Sequence, residues 1–260
     1  MTPQNNNYHL GYLQEMEIQP WVSRKQPTTD AVESTADNVS VDVIKADISE
    51  AKVNKIAEVA DVSQLAWPEL QSMVSSCTAC ALHESRTNTV FGVGDHNAQV
   101  MVIGEAPGAD EDQQGEPFVG RAGQLLNNML LAIGCKREQV YIANILKCRP
   151  PDNRDPLPEE VSQCESFLKR QIALVKPKVI LAVGRIAAHN LMKVEAPIGK
   201  MRGTRYHYGD TPVVVTYHPA YLLRKPIEKA KSWDDLRLAL SIVHAEDENE
   251  KQGKDKEAST

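Results

Sequence analysis

Three groups of residues in this 260-residue chain could do chemistry. The first lies in Gly104–Gly123, GEAPGADEDQQGEPFVGRAG, which carries Glu105, Glu111 and Asp112 and sets Phe118 among Gly and Pro. Acids and one aromatic face in a glycine-rich loop suit a pocket for a flat, neutral ring. The second group is Asn144 and His218, each at the end of an apolar run. An amide offers both an acceptor and donors. An imidazole can donate to an oxygen that is gaining negative charge. The third group is thiol chemistry: Cys77-x2-Cys80, Cys148, and Cys164 a further 16 positions along. Four thiolates in two groups suit a tetrahedral ion or a cubane, and spacing alone leaves zinc and [4Fe–4S] both open. Cys77 and Cys80 flank small polar residues and Cys148 lies between Lys147 and Arg149, which is not the setting of an inert thiol. Cys135, after Gly134, reads as a packed thiol.

These residues need elements to position them. Four β-rich apolar runs stand out: Ala98–Ile103, Val140–Ile145, Lys178–Val183 and Pro212–Tyr217. Helix-like stretches follow at Gly123–Ile133, Leu157–Val175 and Arg185–Val194, and Ile227–His244 closes the body. Strands alternating with helices predict an α/β fold, a parallel sheet covered on both faces. Ligands bind such sheets at the strands' C-terminal ends, where Gly104 onward, Asn144–Pro151, Gly184–Arg185 and His218–Arg224 all fall. Glu111 and Asp112 also fit a solvated acidic edge. Lys200, Arg202 and Arg205 fit phosphate contacts or a plain solvated loop.

The net charge of −6 is unevenly spread. Residues 28–69 carry −6 and 246–260 carry −3, so the body from Leu70 to Ala245 is +3 and compatible with nucleic acid. No run of about 18 apolar residues occurs, so no membrane span is expected. Without an export signal the protein is expected in the cytoplasm, at the nucleoid, where reduced cysteines favour metal binding. Four regions are expected: residues 1–27, a partner-binding peptide; 28–66, an acidic disordered linker; 67–245, the catalytic body; and 246–260, a charged disordered tail.

Together CTAC, GEAPG with PFVGRAG, ANILKCRPPDNRDPLP, VGRIAA and HPAYLLR, in that order, resemble the family 4 uracil-DNA glycosylases, the iron–sulfur branch of their superfamily. The resemblance spans Leu70–Leu240. It implies a three-layer α/β/α sandwich with a four-stranded parallel sheet and a [4Fe–4S] cluster on Cys77, Cys80, Cys148 and Cys164. By position it implies that Glu105, Ala106 and Pro107 line the pocket, Phe118 stacks on uracil, Asn144 reads the base edge and His218 faces O2. Glu105, Asn144 and His218 are then the catalytic residues. Leu222 is the wedge into the duplex, and Lys200, Arg202 and Arg224 contact DNA. Other branches carry a water-activating Asp where Ala106 stands and a thymine-excluding Tyr where Gly108 stands, so no general base is assigned.

The expected function is a monomeric, monofunctional glycosylase that flips uracil from DNA and leaves an abasic site. The alternative is a non-catalytic iron–sulfur adaptor of replication or repair. Residues 8–25, with Leu10, Leu13, Ile18 and Trp21 ahead of Arg24 and Lys25, read as a docking peptide for a replication or repair protein or as an untethered tail. They are similar to the N-terminal segment of the psi subunit of the bacterial replicative polymerase.

Overall fold

The computed structural model describes residues 62–257, with side chains through residue 248. The expected docking peptide, and the expected linker up to residue 61, lie outside the described residues. Val62 is buried and Arg170 Nε donates to the Leu65 carbonyl at 2.7 Å, so residues 62–66 pack on the body.

The chain first forms α1 (Trp67–Ser75), α2 (Leu82–Ser85), β1 (Val93–Gly94) and β2 (Val100–Gly104). Next come α3 (Ala109–Gln114), α4 (Arg121–Ala132), β3 (Tyr141–Asn144), α5 (Pro158–Val175) and β4 (Val179–Val183). It ends with α6 (Arg185–Met192), α7 (Ile198–Met201), β5 (Arg205–Tyr208), β6 (Thr211–Thr216), α8 (Pro219–Arg224) and α9 (Lys229–Glu257).

Side chains of the central strands alternate between two cores. Met101, Ile103, Ala143, Ile180, Ala182, Val213 and Val215 share one with apolar residues of α1, α5 and α6. Val100, Val102, Ile142, Val179, Leu181, Val183 and Val214 share the other with α4, α8 and α9. With both faces dry, these strands read as unbroken apolar runs, and each fully buried Val, Leu or Ile contributes about 1.5–3 kcal/mol.

The sheet has six strands in the order β1-β3-β2-β4-β6-β5. The expected four-stranded parallel sheet is its centre, β3-β2-β4-β6. The two further strands add antiparallel at the edges. One is two residues long, and the other, RYHY, leaves Arg205 and His207 in solvent. α9 continues through Glu246 to Glu257, where the sequence suggests a separate tail; Glu and Lys are good helix formers.

Connections leave neighbouring strands β2 and β4 toward opposite faces, since α4 packs in one core and α6 in the other. That divergence opens a crevice at their C-terminal ends.

Candidate active site

The crevice is a cleft of about 500 Å³. Glu105, Ala106, Pro107, Phe118, Asn144 and His218 all line it, with Arg224 at its wall. Strand register starts the site: Gly104 of β2 pairs with Asn144 of β3. A Cβ on Gly104 would come 2.4 Å from Asn144 Oδ1 and 2.7 Å from Phe118 Cζ. Only glycine lets the amide and the ring close over that strand end. Asn144 is 2 % exposed, and its Oδ1 has no hydrogen-bond partner among the described residues. A buried acceptor left open beside a cleft is one that a ligand N–H can satisfy.

Phe118 is buried with φ +54°, a left-handed backbone that a bulky residue adopts only under constraint. The constraints are visible. Glu111 Oε1 accepts from the N–H groups of Val119 at 2.9 Å and Gly120 at 3.1 Å, and Oε2 from Gly108 at 3.1 Å. Arg137 Nη1 donates to the Phe118 carbonyl and to Asn127 Oδ1, both at 3.2 Å. The ring so held lies 5.7 Å from the His218 ring at 31°. Glu111 is therefore a loop clasp. Asp112, 3 % exposed, holds the Thr87 N–H at 2.9 Å and is equally structural. Nothing in the sequence around Arg137 marks it, since its two carbonyl partners lie in a loop 19 and 20 positions earlier.

His218 caps α8, its Nδ1 accepting from the Ala220 N–H at 3.2 Å. That bond leaves the ring proton on Nε2. Burial, then the Arg224 cation, push its pKa down to about 4 against the pull of Glu111. At neutral pH it is an uncharged donor. Beside it β4 ends at Gly184, φ +97°, where a Cβ would lie 3.1 Å from His218 Cβ. Glu105 moves the other way. Burial, then the Asp155 carboxylate, raise its pKa to about 7, with Arg185 opposing. Asp155 is itself paired to Arg185 at 3.0 Å.

Of the DNA-contact set, Lys200 and Arg224 are exposed. Two others are corrected. Leu222 is fully buried in the core with α4 and α9, so it cannot enter a duplex; its neighbour Leu223, 36 % exposed, faces solvent. Arg202 is engaged: Nε meets Asp235 Oδ2 at 2.8 Å, Nη2 donates to the Lys231 carbonyl, and the guanidinium covers Tyr217 at 4.5 Å. With Asp235 fully buried this is an internal ion pair.

Cys77, Cys80, Cys148 and Cys164 line one small cavity with Val74 and Phe167. Among the described residues no three His, Cys, Asp or Glu side chains converge on a single-ion site. The chemistry of the donor set, four cysteines on one cavity, suits a cubane, which takes one thiolate at each corner. Two donors are in place: the Arg86 guanidinium Nη1 reaches Cys148 Sγ at 3.1 Å, and the backbone N–H of Lys147 reaches Cys164 Sγ at 3.3 Å. Burial pushes the Cys164 thiol up to about 12 and raises Cys80 and Cys148, so bound metal is what would ionise them. Cys135 packs in the opposite core.

The family model of the Uracil DNA glycosylase superfamily matches residues 91–237. A type-4 uracil-DNA glycosylase of Archaeoglobus fulgidus is 49 % identical over 161 residues, 59 % of this chain and 81 % of that protein. One of Thermotoga maritima is 45 % identical over 173 residues, 62 % of this chain and 90 % of that protein. A type-5 uracil-DNA glycosylase of Pyrobaculum aerophilum is more distant, 32 % identical over 146 residues, 50 % of this chain and 64 % of its own. The match to the family model and the two type-4 relatives together mean that the chain belongs to the uracil DNA glycosylase superfamily, within its type-4 branch.

Proposed function

We propose that this uracil-DNA glycosylase is monofunctional: it flips uracil from DNA, hydrolyses the N-glycosidic bond and leaves the strand uncut at an abasic site. The observation that carries this reading is the unpartnered Asn144 Oδ1 in the same cleft as an uncharged His218 and a carboxyl with pKa about 7. Oδ1 accepts uracil N3–H and the amide nitrogen donates to O4. Cytosine, with a lone pair at N3 and an amine at C4, mismatches both. Phe118 stacks on the ring. As the C1′–N1 bond breaks, the sugar becomes cationic and uracil O2 gains negative charge. His218 Nε2–H donates to that oxygen. The Glu105 carboxylate stabilises the cation and orients the water that adds to C1′. No lysine lines the cleft among the described residues, which argues against a Schiff base and strand cleavage.

Leu223, not Leu222, has the exposure a wedge requires, and Lys200 and Arg224 are the phosphate contacts in this reading. Cys77, Cys80, Cys148 and Cys164 would hold a [4Fe–4S] cluster, which when bound supplies a cross-link between their segments. Residues 8–25 are proposed to dock on a replication or repair protein. The test is a uracil-containing oligonucleotide incubated with cluster-loaded protein. The product should become alkali-labile without prior strand breaks, and Asn144→Ala should lower turnover far more than duplex affinity. An alkali-resistant product favours the non-catalytic adaptor, and breaks before alkali treatment refute monofunctionality.

A further inference from the structure

Lys147 is 1 % exposed, and its ammonium donates to two neutral acceptors, the Asn144 main-chain oxygen at 2.9 Å and Gln171 Oε1 at 2.6 Å. Gln171 is fixed in turn: its Nε2 donates to the Phe91 carbonyl at 2.9 Å and the Tyr141 hydroxyl at 3.0 Å. The backbone N–H of Lys147 donates to Cys164 Sγ at 3.3 Å. One residue therefore touches the base reader with its side chain and the thiol site with its main chain.

We propose that Lys147 is a positioning residue that pins the carbonyl of Asn144, and so the direction of its amide. The proposal rests on Asn144 as the base reader. Asn144 ends β3, and the peptide that follows it is held at both ends: the Ile145 N–H donates to the Gly104 carbonyl at 3.0 Å, and the Lys147 ammonium takes the Asn144 carbonyl. Without the ammonium the carbonyl end of that peptide loses its partner and can tilt the amide off the ring edge. Displacements near 1 Å at a reacting centre cost about a hundredfold in rate.

The test uses full-length, cluster-containing protein with Lys147→Met, which keeps length and removes charge. Inhibition by free uracil reads the pocket without turnover or DNA contact. The inhibition constant should rise, and kcat fall, by about tenfold to a hundredfold, while KM and affinity for uracil-free duplex stay near wild type. Unchanged uracil inhibition overturns the positioning role. Parallel loss of inhibition, duplex affinity and melting temperature reduces Lys147 to a structural residue. If that variant does not fold, Gln171→Met removes one acceptor and keeps the cation, and the same comparison decides. Asn144→Ala separates the premise: unchanged uracil inhibition there sinks the base-reader assignment itself.

Discussion

Glu105 and His218 share one cleft, yet their proton affinities move in opposite directions, to about 7 and about 4. If the Glu105 carboxylate serves the reaction, kcat/KM rises with pH through one ionisation near 7 and then stays level. His218 adds no limb above pH 4, being neutral throughout. Glu105→Gln should lower the rate and flatten the profile; a limb near 7 that persists would put the ionisation elsewhere. Stability carries the opposite signs. The His218 contribution is present above its unfolded pKa of 6.5 and is lost as pH falls toward 4. The Glu105 contribution is present below 4.5 and is lost as pH rises through 7. The cleft positions of Glu105, Asn144 and His218 were legible in the sequence because each stands where a β-run stops, and that of Phe118 because an aromatic ring is set there among Gly and Pro. Arg137 and Lys147 were not. Each is a single cation whose meaning lies in carbonyl and amide oxygens that only the folded chain brings to it.

Among elements, the ends of α7 and α8 separate two arginines that look alike in sequence. Arg202 and Arg224 both read as phosphate contacts. Arg202 is 10 % exposed at the side chain and paired to a fully buried Asp235, so Arg202→Ala should cost about 3–5 kcal/mol of stability, measured by denaturant melts. Arg224→Ala should leave stability alone and reduce the salt slope of duplex binding by about one. A reversal of these outcomes would restore Arg202 to the interface. The partner of Arg202 lies 33 positions away on α9, which no local pattern announces. Leu222 and Leu223 differ only by helix phase, and six residues of α8 are too few to establish it by periodicity. The same physics governs the strands. The central four carry apolar side chains on both faces and are plain in the sequence, whereas β1 and β5 are edges without that signature.

For the whole molecule, the cavity of four cysteines joins segments far apart in the chain: the turn after α1, the loop beyond β3 and the helix α5. Cys164→Ser should lose the absorbance near ~400 nm and melt at lower temperature, whereas Cys135→Ser, in the opposite core, should keep the band. Loss of the band in Cys135→Ser would mean a different ligand set. The sheet itself sets the scale of the cleft. Asn144 and His218 follow strands separated by β2 and β4, and three inter-strand steps span about 14 Å. Between those two tips the chain leaves β4 at Gly184, where a methyl would press on the imidazole. The part this corner plays is a silhouette: its bare Cα leaves His218 its place. Selection on such a site acts on vacancy as strictly as on chemistry, so variation at 184 should be as poorly tolerated as variation at 218.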